Sequence, residues 1–300
     1  VKTLVAYNNN FKRKFAESAS VNQQKLCYAC HHVYSSNEIK NIKREIIQKT
    51  LLRKFPKLKE TFPRWPQMTS VELNQIGNEM YTLYDKNFFA SLMKRVMPNL
   101  QINFSLVKRR EFGLFTPSQN LLQIIIPNFS HMFEKSHVVA YFNHGHVVYS
   151  TLEAIQLTFE HEIIHAIQHF ACNDRRGGHG RIFKSLIFNM FSHIEFYGEL
   201  KEMISSSEAS AKKTLYTLVA SKHTHSNIPS DGDFVGFLSN NKILIGRIQN
   251  THNHIRDDKY EALVIGSNRV FKIPYNGSYS VLPPQLVENL NLSNNIEQRL

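Results

Sequence analysis

Hydrophobic and polar positions first fall into a clear period between Ile39 and Phe55. Apolar residues stand at Ile39, Ile42, Ile46, Ile47, Leu51, Leu52 and Phe55, which is helical spacing. The opposite face carries Lys40, Lys43, Arg44, Arg53 and Lys54, so the pattern predicts a helix with a basic solvent face. KFPKLKETFPRWPQ (54–67) holds three prolines and predicts a break. A second helix is expected from about Thr69 or Ser70, with Ser70 as its cap and Leu73, Ile76, Met80, Leu83, Tyr84 and Phe88 as its apolar stripe. LQINFSLVKRREFGLF (100–115) and LLQIIIP (121–127) read as two strands around the turn TPSQN. Ser150 and Glu153 match a capping box and open a third helix that runs to about Phe170. ACNDRRGGHG is a loop, and Ile182, Phe183, Leu186, Ile187, Met190 and Ile194 mark a fourth helix. SSSEASAKK (205–213) fits either a linker or an exposed helix.

From about Ile228 the texture changes. DFVGFL, KILIGRI, YEALVI and RVFKIP are short strand-like runs separated by turn residues, and VLPP closes the set. Short strands at close spacing predict a small β-barrel of SH3-like type.

Composition narrows the class. Apolar residues make up 42% of 300, enough for a substantial core. No run of 18 apolar residues exists, so no membrane span is expected. Three cysteines cannot build a disulfide framework, and VKTLVAYNNNFKRKF lacks the apolar stretch of a secretory signal. The expectation is an intracellular protein, nuclear or cytoplasmic and not secreted. The net charge of +12 is uneven: residues 1–69 hold 14 Lys/Arg against 4 Asp/Glu. A basic arm on a near-neutral body points to an anionic partner, nucleic acid above all.

The chemistry concentrates in TFEHEIIHAIQHFACNDRRGGHGRIF (158–183). His161-Glu162-Ile163-Ile164-His165 is an H-E-x-x-H motif. Positions four apart share a helix face, so both imidazoles can reach one Zn²⁺. Glu162 stands beside that face and can activate a zinc-bound water for amide hydrolysis. A catalytic zinc takes a third protein ligand. His169 continues the even spacing, but at about 1.5 Å rise per residue it lies about 12 Å along the axis from His161, beyond the reach of a shared ion. His179, on a loop with Gly177, Gly178 and Gly180, is the favoured third ligand, with Glu195 or Glu199 from a later helix as the alternative.

HEIIHAIQ followed by HGRIF resembles the SprT/Spartan family of zinc metalloproteases, whose pattern is H-E-x-x-H and then H-G-x-x-F/W about a dozen residues later. The resemblance implies His161, His165 and His179 as zinc ligands, Glu162 as catalytic base and Phe183 as a packing residue. It implies an α+β, zincin-like metallopeptidase domain over 69–200. A basic helical extension (1–68) precedes it, and a linker (201–226) and the small barrel (227–290) follow. FVGFLSNNKILIGRI and its continuation also resemble a small barrel that follows some SprT-like domains. The family's activity implies cleavage of proteins near or crosslinked to DNA, with no membrane partner. The chain departs from many bacterial relatives in having no cysteine after Cys172, hence no zinc ribbon.

Cys27-Tyr28-Ala29-Cys30-His31-His32 has the spacing of a haem attachment, which the missing export signal argues against. The remaining readings are idle thiols or a half-site for structural zinc, helped by His31 or His32. Cys172 is expected to pack. The competing function is non-enzymatic: a nucleic-acid-binding adaptor that zinc merely stabilises.

Overall fold

The computed structural model describes residues 20–32, 35–60, 68–133, 138–175, 177–193, 200–203, 206–220, 229–230, 232–239, 242–249, 259–265, 269–274 and 279–290. Their contacts divide the chain into two compact units. The first comprises 1–135 and 150–198, the second 136–149 and 199–300. The expected boundaries divide the chain differently. Helices between residues 21 and 60 belong to the first unit, the hairpin at 140–148 belongs to the second, and the expected linker contains a strand and a helix.

In the first unit, helices α1 (Val21–His32), α2 (Asn37–Lys54) and α3 (Ser70–Phe88) precede strands β1 (Gln101–Ser105), β2 (Gly113–Thr116) and β3 (Leu121–Ile125). Thr69, not Ser70, caps α3: its hydroxyl accepts from the Glu72 N–H while Glu72 accepts from the Thr69 N–H, a complete capping box. The run 100–115, expected as one strand, is two. The polar stretch at 108–111 interrupts it, and the halves pair on opposite sides of β3. The sheet order is β1-β3-β2, with β1 parallel and β2 antiparallel to β3.

Helix α4 (Thr151–Phe170) runs through the middle of this unit, with nearly every side chain from Leu152 to Gln168 buried. At its start the Ser150 hydroxyl accepts from the Glu153 N–H. Helix α5 (Arg181–Phe191) follows and packs against α4.

Helix α2 is rotated from its expected orientation in its first half, while Ile47 and Leu51 are buried and Arg53 and Lys54 exposed as expected. Ile39, Ile42 and Ile46 are 48%, 48% and 47% exposed, whereas Lys40 and Arg44 are buried alongside Ile47 and Leu51. The cause is electrostatic. Lys40 Nζ donates to Ser192 Oγ (2.8 Å) and the Phe188 carbonyl (3.3 Å), and Arg44 reaches the Phe191 carbonyl, so both cations meet the carbonyl end of α5. Arg44 also grips Glu160 with Nε and Nη2, both at 2.7 Å. Paired in this way, the long cationic side chains take interior positions that spacing alone assigned to isoleucine.

The second unit contains β4 (Ala140–Asn143), β5 (His146–Val148) and, later in sequence, β6 (Lys201–Met203), forming an antiparallel sheet of order β5-β4-β6. The β4–β5 turn is His144-Gly145, both at positive φ, as a tight hairpin requires. Helix α6 (Ser206–Ala220) shows that the polar run at 205–213 takes the helical alternative. Strands β7 (Phe234–Ser239), β8 (Lys242–Gln249), β9 (Lys259–Val264), β10 (Val270–Pro274) and β11 (Tyr279–Val281) make one antiparallel sheet, order β10-β9-β8-β7-β11. Val235, Phe237, Ile248, Tyr260 and Ile273 fill one core, while Leu215 and Val219 of α6 pack with Leu282 and Leu286. Among the described residues β10 and β11 are the two edges and do not pair, so the sheet is open where a closed barrel was expected.

The architecture is mixed α/β, with helices and small separate sheets, in keeping with the expected α+β class. Among the described residues, no helix is long and apolar enough to cross a membrane.

Candidate metal centre

Helix α4 presents His161 and His165 one turn apart on the same face. The loop after α4 then turns back. Ala171 and Cys172 donate to the Ile167 carbonyl, and Asp174 donates its N–H to the Gln168 carbonyl (3.0 Å) while accepting from Gln168 Nε2 (3.0 Å). Gly177 and Gly178 both adopt left-handed φ, at 67° and 68°, a conformation that side chains resist. These two residues swing His179 over α4 just before α5 begins at Arg181.

Ligand atoms of His161, His165 and His179 all lie within 4.8 Å of one another. His161 Nε2 and His179 Nε2 are 3.0 Å apart. Tetrahedral zinc with bonds of about 2.0–2.1 Å sets its nitrogens about 3.4 Å from each other, so small ring adjustments meet that geometry. Phe183, four residues after His179, forms the apolar floor: its ring centroid lies 4.9 Å from His161, 4.7 Å from His179 and 4.3 Å from His165, on which it stacks. Burial, then the charge of His179, pushes His165 down to about 3. Burial, then Lys184, lowers His179. Both shifts favour neutral imidazoles, the form that binds a cation.

His169 stands outside this trio. It borders the same cleft, but its ring meets Phe115 (6.0 Å) and Phe170 (4.9 Å). Glu195 and Glu199, the alternative third ligands, lie outside the described residues.

Glu162 faces the cleft from the helix side, opposite β2. Burial pushes its carboxyl up to about 8, opposed by the Phe115 N–H, which donates to it. A Cβ placed on Gly113 would stand 2.6 Å from Glu162 Cγ, 2.8 Å from Glu162 Oε1 and 2.9 Å from Thr158 Cγ2. Only glycine lets the strand pass the carboxylate this closely.

A second buried carboxylate braces the helix from behind. Glu160, fully buried, accepts from Arg44, from Tyr84 Oη (2.6 Å) and meets His193 Nε2 (2.8 Å). Burial works against the Arg44 charge, but Glu160 beside it holds the guanidinium above its ordinary value. Gly113, Phe115 and the Glu160 brace escaped sequence reading. The available signals were a glycine inside a strand pattern and a charged residue inside an apolar helix.

The thiols depart from expectation. Cys27 pairs with Cys172 across 145 residues as a disulfide, while Cys30 is free and buried. Cys172 therefore does more than pack. The CxxC spacing does not bring Cys27 and Cys30 into one site.

No protein-family model, curated protein or solved structure matches the chain.

Proposed function

We propose that the chain is a zinc-dependent endopeptidase of SprT-like type, with a zincin-like catalytic unit, acting on proteins associated with or crosslinked to DNA. The observation that carries this reading is the convergence of His161, His165 and His179 beside a buried Glu162. Those four residues are the ones the SprT resemblance selects. Three imidazoles and one open side suit zinc in a catalytic role.

When bound, zinc supplies Lewis-acid activation of water and of a peptide carbonyl. The remaining work belongs to side chains. Glu162 would take a proton from water and return it to the departing amine. Phe115 N–H and the absence of a Cβ at Gly113 fix where that carboxylate stands.

The substrate would enter along β2. In the antiparallel pairing of β2 with β3, the Ile125 N–H bonds the Phe112 carbonyl, so alternation turns the backbone groups of Gly113 and Phe115 away from β3, the Phe115 N–H to Glu162 and the others toward the edge. Strand β3 is central in its sheet, and its neighbour β2 borders the cleft. An extended polypeptide adding to that edge is gripped through its main chain, which favours sequence-tolerant cleavage.

DNA association rests on the basic charge of residues 1–69. Lys40 and Arg44 serve the interior, which leaves that contact to others such as Lys25 and Arg53, both exposed. The test is a cleavage assay of the zinc-loaded chain on a DNA-binding protein, with and without DNA. DNA-stimulated cleavage supports the proposal. Bound zinc without cleavage under any DNA condition makes the chain a zinc-stabilised adaptor.

A further inference from the structure

Away from the histidine trio, a second group of ligand-type side chains meets at the base of the same loop. Cys27 and His31 lie four apart on α1, hence on one face, and Cys172 lies just past the end of α4. One ligand atom from each falls within 4.8 Å of the other two. Cys27 and Cys172 are buried and His31 is half-buried. Their Cα atoms, 5.3 Å apart in the disulfide, leave both sulfurs directed at one point. Helix α5 holds the histidine: His31 Nδ1 meets Ser185 Oγ at 3.5 Å, and Asn189 Nδ2 donates to the His31 carbonyl at 3.0 Å. An outer hydrogen bond on one ring nitrogen is how metal-binding histidines are oriented through the other.

We propose that Cys27, Cys172 and His31 form a redox-controlled site for a soft divalent cation of the Zn²⁺ class. In the oxidised state the two sulfurs are joined and the site is closed to metal. A thiol or phosphine reductant delivers two electrons, the S–S bond breaks and each sulfur takes a proton. On metal binding, each thiol releases that proton to solvent and the two thiolates and His31 Nε2 become ligands, with the fourth position on the half-exposed His31 side. Oxidation reverses this: the thiolates pass two electrons to a small-molecule disulfide through a mixed disulfide, releasing two thiolates of the oxidant and the cation. Tetrahedral bonds of about 2.3 Å to sulfur and about 2.0–2.1 Å to nitrogen put these ligand atoms about 3.5–3.8 Å apart, so reduction must let the two sulfurs part from bonding distance, within the 4.8 Å that encloses all three atoms. Cys30 plays no part, because it lies outside the cluster.

Either state ties α1 to Cys172, the first part of the loop that delivers His179. The inference does not rest on the peptidase reading, since it concerns different ligands. The test is a Co²⁺ titration of the full chain after reduction by a phosphine, and after oxidation by a small-molecule disulfide. Expected for reduced wild type is a near-ultraviolet thiolate-to-cobalt charge-transfer band that saturates within two equivalents, one for each site, and is lost on oxidation. Cys27→Ser and Cys172→Ser should abolish the band, Cys30→Ser should keep it, and His31→Ala should weaken binding at least tenfold. His179→Ala should keep the band while losing the other equivalent, which separates failure of this site from failure of the histidine trio. Absence of the band in reduced wild type at saturating Co²⁺, or its survival in Cys27→Ser, would overturn the proposal; neither observation depends on how well the other variants fold.

Discussion

Gly113 lies so close to Glu162 that a single added carbon would come within 2.6 Å of the Glu162 Cγ. The strand edge and the acidic side chain therefore define one another. Gly113→Ala must push the Glu162 side chain aside, because that side chain is more easily moved than the backbone of β2. Displacement of a reacting group by about 1 Å costs on the order of 10²-fold in rate. The expected outcome is a fall in kcat/KM of that size with metal content unchanged. Wild-type activity in Gly113→Ala would show that the carboxylate's present position is not the working one.

The ligand assignment separates three histidines from a fourth that spacing makes equally attractive. His161→Ala, His165→Ala and His179→Ala should each lose tightly bound zinc, measured by metal analysis after dialysis. His169→Ala should retain it, because that ring faces Phe115 and Phe170 instead. Full zinc retention by His179→Ala would move the third ligand to Glu195 or Glu199.

Glu160 and Arg44 form a buried pair whose halves depend on each other. Removing the cation alone with Arg44→Met strands a buried carboxylate and should cost about 3–5 kcal/mol in urea denaturation. Adding Glu160→Gln should recover part of that loss, because the unpaired charge disappears. A double variant as unstable as the sum of the two single variants would mean the residues do not couple.

The α3 cap gives stability a pH dependence. Lys57 first, then the Thr69 N–H and hydroxyl, hold the Glu72 carboxyl down to about 2. Its unfolded value is about 4.3, so the folded state binds its proton more weakly. The contribution is therefore fully present above about pH 4.3 and lost as pH falls toward about 2. Thermal melts of Glu72→Gln should show a shallower loss of Tm than wild type across that window. Parallel curves would remove Glu72 from the acid response.

Legibility in the sequence followed how local each interaction is. The H-E-x-x-H pair could be placed because four-residue spacing alone puts His161 and His165 on one face. His179 could be favoured because its glycines announce a sharp turn. The positions of Gly113, Phe115 and Glu160 depend on partners from other elements, and one strand of the sheet was merged with another for the same reason. The burial of Lys40 and Arg44 on α2 was not legible because their partners, Glu160 and the end of α5, are more than a hundred residues away. The Cys27–Cys172 pair spans a similar distance, and the nearer Cys30 offered a misleading alternative. Four of the five strands in the larger sheet of the second unit, β7 to β10, were visible as runs, but β11 and the pairing into an open sheet were not.

The central claim is that Glu162 performs catalysis at a metal held by the three histidines. Its most direct test compares wild type with Glu162→Gln, both loaded with one equivalent of zinc at the histidine trio, on one protein substrate followed by gel. The account predicts equal zinc content and cleavage reduced to background in the variant. Equal zinc content with cleavage at the wild-type rate would contradict it.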